Sequence, residues 1–205
     1  SDAVAELALG HMFSCARFIS AAGHSMREGK WEKKAYEGIE LSGKTVGIVG
    51  YGRIGQALGR RCQALGMKVL AYDIYKVPEL ECDTMRYVEM DELLSTSDII
   101  SLHVPSLPGQ PLVSRDALAK MKDGVIIINT SRGTNVDEAA LLEALDSGKV
   151  YGAGLDVFAE EPSKNEALYK HPRVSSTPHI GASTQEAQAR IGVEIVDLIS
   201  KAFNL

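Results

Sequence analysis

The sequence predicts an α/β protein built on a doubly wound parallel sheet. Two observations carry this. From residue 45 onward, short runs rich in valine and isoleucine alternate with amphipathic segments of helical period, and strands alternating with helices imply βαβ units with right-handed crossovers. The first of those runs leads directly into a glycine-rich turn, "GYGRIG", that opens a helix. With 205 residues, 45% of them hydrophobic, the chain suits one large domain with a substantial core.

The elements follow in order. Val4, Leu7, Leu9, Met12, Phe13, Ala16 and Ile19 recur at helical spacing, so residues 2–28 read as one long helix with Asp2 as N-cap and Gly29 as stop. Residues 29–44, "GKWEKKAYEGIELSGK", have no period and read as an arm or loop. Its Trp31 and Tyr36 either cover the domain's own surface, the preferred reading, or pack on a neighbour. Strands are expected at 45–50, 68–73, 98–104, 124–130, 150–157 and 173–178, all short and most of them rich in valine or isoleucine and bounded by glycine, proline or aspartate. Helices are expected near 54–65, 89–95, 114–121 and 137–147. A last one covers 183–203, where Ala187, Ile191, Ile195, Leu198 and Ala202 make an apolar stripe.

Composition narrows the function. A net charge of -5 without any basic block argues against nucleic acid. The apolar runs are far too short to span a bilayer, and the first residues show no leader pattern. Cys15, Cys62 and Cys82 have neither disulfide nor metal spacing, so buried or idle thiols, a cytoplasmic setting and no metal are expected.

The turn after the first strand is G-x-G-x-x-G: Gly50, Gly52 and Gly55. Its context, strand before and helix after, makes it informative. The first glycine allows a tight turn, the second lets backbone approach a pyrophosphate, and the third lets helix and strand pack. The helix N-terminus offers free N–H groups to phosphate. Asp73 ends the second strand, eighteen positions after Gly55. An acid there accepts hydrogen bonds from ribose hydroxyls and repels a 2′-phosphate, which favours NAD over NADP.

Ligands of open α/β sheets bind beyond the carboxyl ends of the strands. Three successive strands end there in charged or titratable groups: Arg132 in "NTSRG", Asp156 on its strand with Glu160 and Glu161 after it, and His179 in "STPHIG". Each has an ordinary structural use by itself. Together, beside a dinucleotide turn, they suit an α-hydroxy or α-oxo acid: arginine grips a carboxylate with two parallel hydrogen bonds, and a carboxylate beside imidazole fixes its tautomer.

"GKTVGIVGYGRIG", "NTSRG", "GAGLDVFAEEP" and "TPHIGAST" appear in this order. The chain thereby resembles the D-isomer-specific 2-hydroxyacid dehydrogenases, and in particular their nucleotide-binding domain, over essentially its whole length. The resemblance implies a Rossmann-type fold, NAD as cofactor and a 2-hydroxyacid or 2-oxoacid substrate. It implies Arg132 as the substrate-binding arginine, His179 as acid/base and Glu161 as its paired carboxylate. Cofactor contacts would fall on Gly50, Gly52, Arg53, Ile54, Gly55, Asp73, Val104, Pro105, Thr130, Ser131, Arg132, Asp156, His179, Gly181 and Ala182. "HIGASTQEAQARIG" is similar to the phosphoglycerate dehydrogenase branch; glyoxylate or hydroxypyruvate reductases, and non-catalytic corepressors on the same scaffold, are the alternatives. Family members are longer, so residues 1–205 are expected to be the dinucleotide-binding domain without its substrate domain, which segments 1–28 and 183–205 would adjoin, and with little activity alone. The first helix and the 29–44 arm resemble the family's dimerisation surface, which implies a homodimer. Lys33 and Lys34 read as a solvated pair rather than a phosphate site.

Overall fold

The computed structural model describes residues 1–203; residues 204 and 205, at the end of the expected closing segment, lie outside the described residues. Seven strands form one sheet: β1 (Thr45–Val49), β2 (Lys68–Tyr72), β3 (Met85–Tyr87), β4 (Ile99–Leu102), β5 (Val125–Asn129), β6 (Val150–Leu155) and β7 (Val174–Ser176). Their order is β3-β2-β1-β4-β5-β6-β7, and every neighbouring pair is parallel. The chain winds outward from β1 in one direction and from β4 in the other, so the sheet is doubly wound with its crevice between those two strands.

Helices cover both faces, which is why the strands read as unbroken apolar runs. Side chains alternate across the sheet. Val125 and Ile127 face the core under α4 (Met90–Thr96), α5 (Arg115–Lys120) and α6 (Glu138–Asp146). Ile126 and Ile128 face the core under α1 (Asp2–Arg17) and α3 (Arg53–Ala64). All four are fully buried, each contributing about 1.5–3 kcal/mol of hydrophobic stabilisation.

The first expected helix is two. α1 stops at Phe18, whose φ of 54° is left-handed, and α2 (Ile19–Arg27) restarts on the other side. The break brings the Phe18 ring 6.0 Å from that of Tyr36 and 5.8 Å from that of Tyr151. Arg173 lies over Phe18 and Tyr151, 5.4 and 5.0 Å from the ring centroids. Aromatic packing and a cation–π contact offset the roughly 1–2 kcal/mol of a left-handed non-glycine residue. Ser1, not Asp2, occupies the N-cap position, and Asp2 sits in the first turn.

The arm holds a short 3-10 turn at Lys33–Tyr36. Tyr36 covers its own domain through Phe18, whereas Trp31 is 81% exposed. Since Tyr151 lies at the start of β6, Tyr36 of that turn packs toward the sheet's amino edge, the opposite end from the expected site. Lys33 and Lys34 are both exposed.

Two elements go unannounced by the sequence pattern. β3 is three residues long, and α7 (Glu166–Tyr169) is a single turn. Conversely, α8 (Gln185–Phe203) forms as expected, but its stripe does not reach the core. Only Ala187 is buried, and Ile195 and Leu198 are 50% and 66% exposed. The thiols also divide: Cys15 and Cys62 are buried, and Cys82 is exposed. No helix among the described residues is long and apolar enough to cross a membrane.

Candidate active site

The glycine turn is built as its spacing requires. Gly50 has φ 90°, and a Cβ on it would lie 2.4 Å from the His103 carbonyl oxygen. A Cβ on Gly55 would lie 2.2 Å from the Gly50 oxygen, so strand and helix meet there backbone to backbone. Gly52 caps α3 and has nothing within 4 Å of its Cβ position. The space over the helix N-terminus is therefore open to a phosphate. Asp73 follows β2 directly; its Oδ2 accepts from Tyr51 N–H at 2.7 Å and its Oδ1 from Tyr75 N–H at 2.9 Å. The same carboxylate that would meet a ribose thus ties the glycine turn to the end of β2. Arg53 begins α3 beside this turn. These features fit the adenosine and pyrophosphate parts of a dinucleotide.

The next four strands close a cleft of about 490 Å³ at their carboxyl ends. Val104 and Pro105 enter it after β4, and Thr130, Ser131 and Arg132 after β5. Asp156 enters after β6, and His179, Gly181 and Ala182 after β7; Ile54 of α3 closes the near side. The cleft therefore unites ten of the residues expected from the sequence, while Gly50, Gly52, Arg53, Gly55 and Asp73 flank it at β1 and β2.

His179 and Glu161 are in contact: Nδ1 lies 2.7 Å from Oε2. Glu161 Oε1 accepts from Phe158 N–H at 3.1 Å. The hydrogen bond from His179 holds the Glu161 pKa below its usual value, helped by Phe158 N–H and the nearby Arg132 charge and opposed by partial desolvation. Glu161 is thus ionised through the neutral range, and the pair is lost only as pH falls through that lowered value. An ionised carboxylate can only accept, so Nδ1 carries a proton and Nε2 is the free nitrogen of a neutral ring. His179 has a left-handed φ of 54°. Its N–H donates to the Asp156 and Thr177 carbonyls at 2.9 and 3.1 Å, which hold that conformation. Glu160, by contrast, turns away to Lys164 at 2.6 Å.

Arg132 is exposed, and its Nη1 donates to the Ser131 carbonyl at 2.7 Å. Among the described residues nothing else bonds its fork, which can therefore meet an anion. Two buried asparagines that the sequence reading passed over hold this turn. Asn129 donates to the Arg132 carbonyl at 2.9 Å and accepts from Ser131 N–H and Oγ at 3.1 and 2.8 Å. Asn135 donates to the Val104 carbonyl and to Ser131 Oγ at 3.1 and 3.2 Å. The available signal was an asparagine ending an all-apolar strand, since a buried amide needs partners.

Asp156 lies one residue past β6 rather than on it. It is 1% exposed and accepts from Thr177 Oγ at 2.7 Å, Ile180 N–H at 2.8 Å and Gly181 N–H at 2.9 Å. The protein itself supplies these donors, so the carboxylate shapes the His179 loop.

His103, just past β4, contacts Ser101 Oγ through Nε2 at 2.8 Å, and its buried Nδ1 has no partner among the described residues. Burial pushes its pKa down from 6.5 to about 4. Between those values the unfolded chain binds more protons than the folded one, so stability falls as pH falls, by as much as about 3 kcal/mol from this group. His103→Gln is expected to flatten the loss between about pH 6.5 and about pH 4 seen in urea melts; an unchanged slope would refute this.

The family model described as "D-isomer specific 2-hydroxyacid dehydrogenase, NAD binding domain" matches residues 9–181. The chain belongs to this family. NAD is accordingly the cofactor of this dehydrogenase domain. The chain is 52% identical, over its whole length and 68% of the relative, to a hydroxypyruvate reductase of Thermotoga maritima. It is 47% identical, over 98% of its length and 39% of the relative, to a D-3-phosphoglycerate dehydrogenase of Archaeoglobus fulgidus. A solved glyoxylate reductase from Paecilomyes thermophila superposes with a TM-score of 0.90 at 40% identity, over 97% of this chain and 61% of that one. The dehydrogenase domain therefore spans between about two fifths and two thirds of these proteins.

Proposed function

We propose that the intact protein interconverts a D-2-hydroxyacid and its 2-oxoacid by NAD-dependent hydride transfer. The observation that carries this reading is the 2.7 Å contact between His179 and Glu161, opening on the cleft that Arg132 also lines. NAD supplies the hydride acceptor for oxidation or, reduced, the donor for reduction. Arg132 binds the substrate carboxylate through the donors left free by Ser131. In oxidation, His179 Nε2 takes the hydroxyl proton. In reduction, it returns that proton to the oxo oxygen. Glu161 accepts from Nδ1–H throughout and stabilises the imidazolium. Asp73 repels a 2′-phosphate and favours NADH over NADPH.

The substrate we favour is the 3-phospho-D-glycerate/3-phosphohydroxypyruvate pair, supported by the phosphoglycerate dehydrogenases among the relatives. A second reading, hydroxypyruvate or glyoxylate, is supported by the 52% identical hydroxypyruvate reductase. Hydroxypyruvate and its 3-phosphate share a carbon skeleton, so the difference rests on what meets the phosphate. NADH-dependent kcat/KM of the intact protein on both compounds decides between them. At least a tenfold preference for the phosphate ester, about 1.4 kcal/mol, supports the first reading; the reverse supports the second.

The proposal includes a homodimer paired through α1, α2 and the 29–44 arm, supported by the exposure of Trp31. It also places 183–203 against the substrate-binding part, supported by the uncovered stripe of α8.

A further inference from the structure

The proposed reaction leaves His11 unused. It sits on α1, 3% exposed, against β6 at Gly154, where a Cβ would lie 2.5 Å from the His11 Cβ. Glycine at that point is what lets the helix bring an imidazole down onto the sheet. Its Nδ1 is 2.9 Å from Ser175 Oγ and its Nε2 is 2.9 Å from Thr177 Oγ.

The direction of these bonds follows from proton counting. Asp156, as a carboxylate, has no proton to give, so the Thr177 hydroxyl donates to it. That hydroxyl has only one proton, so its oxygen accepts from His11, and the accepted proton is on Nε2. A neutral ring protonated at Nε2 has a bare Nδ1, which accepts from Ser175 O–H. Burial lowers the His11 pKa and the Asp156 charge opposes that shift less strongly, which agrees with a neutral ring. The chain therefore runs one way, Ser175 to His11 to Thr177 to Asp156. It ends on the carboxylate that holds Ile180 and Gly181 N–H, in the residue whose carbonyl holds His179 N–H.

We propose that His11 is a positioning residue for the acid/base histidine. As an Nε2–H imidazole it orients the Thr177 hydroxyl toward Asp156 and so fixes the left-handed turn that presents His179 to the cleft. The inference rests on the reading of His179 as the proton carrier. His11 is 168 positions away in sequence and reaches the loop only because α1 lies across β6.

The test uses the intact protein with His11→Met, which keeps the bulk but cannot donate, and His11→Gln, whose amide can. His11→Met is expected to lower kcat about tenfold, the scale of one lost positioning hydrogen bond, with KM for the 2-oxoacid within about threefold. His11→Gln is expected to recover kcat to within about threefold of wild type. Thr177→Val breaks the same chain, so the double variant with His11→Met should be no slower than Thr177→Val alone. Unchanged kcat in His11→Met, a glutamine variant as slow as methionine, or multiplicative losses would overturn the proposal. A wild-type protein with no turnover on any 2-oxoacid would instead defeat the dehydrogenase reading. The His11 assignment then stands or falls on its ring ¹⁵N spectrum: protonated Nε2 with bare Nδ1 supports it, and the other tautomer or the cation overturns it.

Discussion

His179→Ala lowers kcat of the intact enzyme by about 10²–10⁴-fold, the usual worth of general acid–base catalysis, and leaves NADH affinity nearly unchanged. The size follows from what the side chain does. In the proposed mechanism Nε2 handles the proton, because Nδ1 is committed to Glu161 at 2.7 Å. Alanine removes the proton carrier but not the backbone bonds that shape the turn, since His179 N–H still reaches the Asp156 and Thr177 carbonyls. The proposed adenosine and pyrophosphate contacts, from the glycine turn to Asp73, do not involve the ring. Steady-state kinetics with a separate NADH titration reads both parts. Activity within a few-fold of wild type would remove His179 from the mechanism, and a matching collapse of NADH affinity would make its role one of binding.

Gly133→Ala is expected to damage the site as badly from outside it. A Cβ at position 133 would lie 1.9 Å from both the carbonyl carbon and oxygen of Phe158. Those are backbone atoms, so no side chain can turn aside. The Arg132 loop and the Phe158–Glu161 loop must separate, although Glu138 is tied to the second of them through Ala159 N–H at 2.8 Å. Overpacking of this kind costs about 1–3 kcal/mol, or roughly 2–4 °C per kcal/mol in a domain of this size. Misplacing the Arg132 and Glu161 supports by even about 1 Å lowers kcat/KM on the order of 10²-fold. A thermal melt and a progress curve measure the two effects. A variant equal to wild type in both would show that the loops do not need their close approach.

Much of this was legible in the chain. The glycine turn was readable because its strand–turn–helix context leaves glycine few other uses, and Asp73 because it comes directly at the close of the next apolar run. Arg132, Glu161 and His179 were readable as chemistry-bearing residues at the ends of strands that prove to be neighbours in the sheet. The residues that hold them were not. His11, Thr177, Asn129 and Asn135 act through partners distant in sequence or through loop backbone, and no local period marks them. Phe18 was hidden because a helical pattern runs through it, and only tertiary packing on Tyr36 and Tyr151 decides the break. β3 was hidden because three residues beginning with methionine make no apolar run. The stripe of α8 was legible as amphipathic, but amphipathicity does not say whether the partner lies in the same domain.

The central claim is that Arg132 and His179 act on one 2-oxoacid beside the NAD site. The direct test follows NADH consumption by the intact protein with hydroxypyruvate and with hydroxyacetone, which carries a methyl group in place of the carboxylate. The account predicts turnover of the acid, none detectable of the ketone, and loss of this discrimination in Arg132→Gln. Equal rates on both compounds, or discrimination that survives the loss of Arg132, would contradict it.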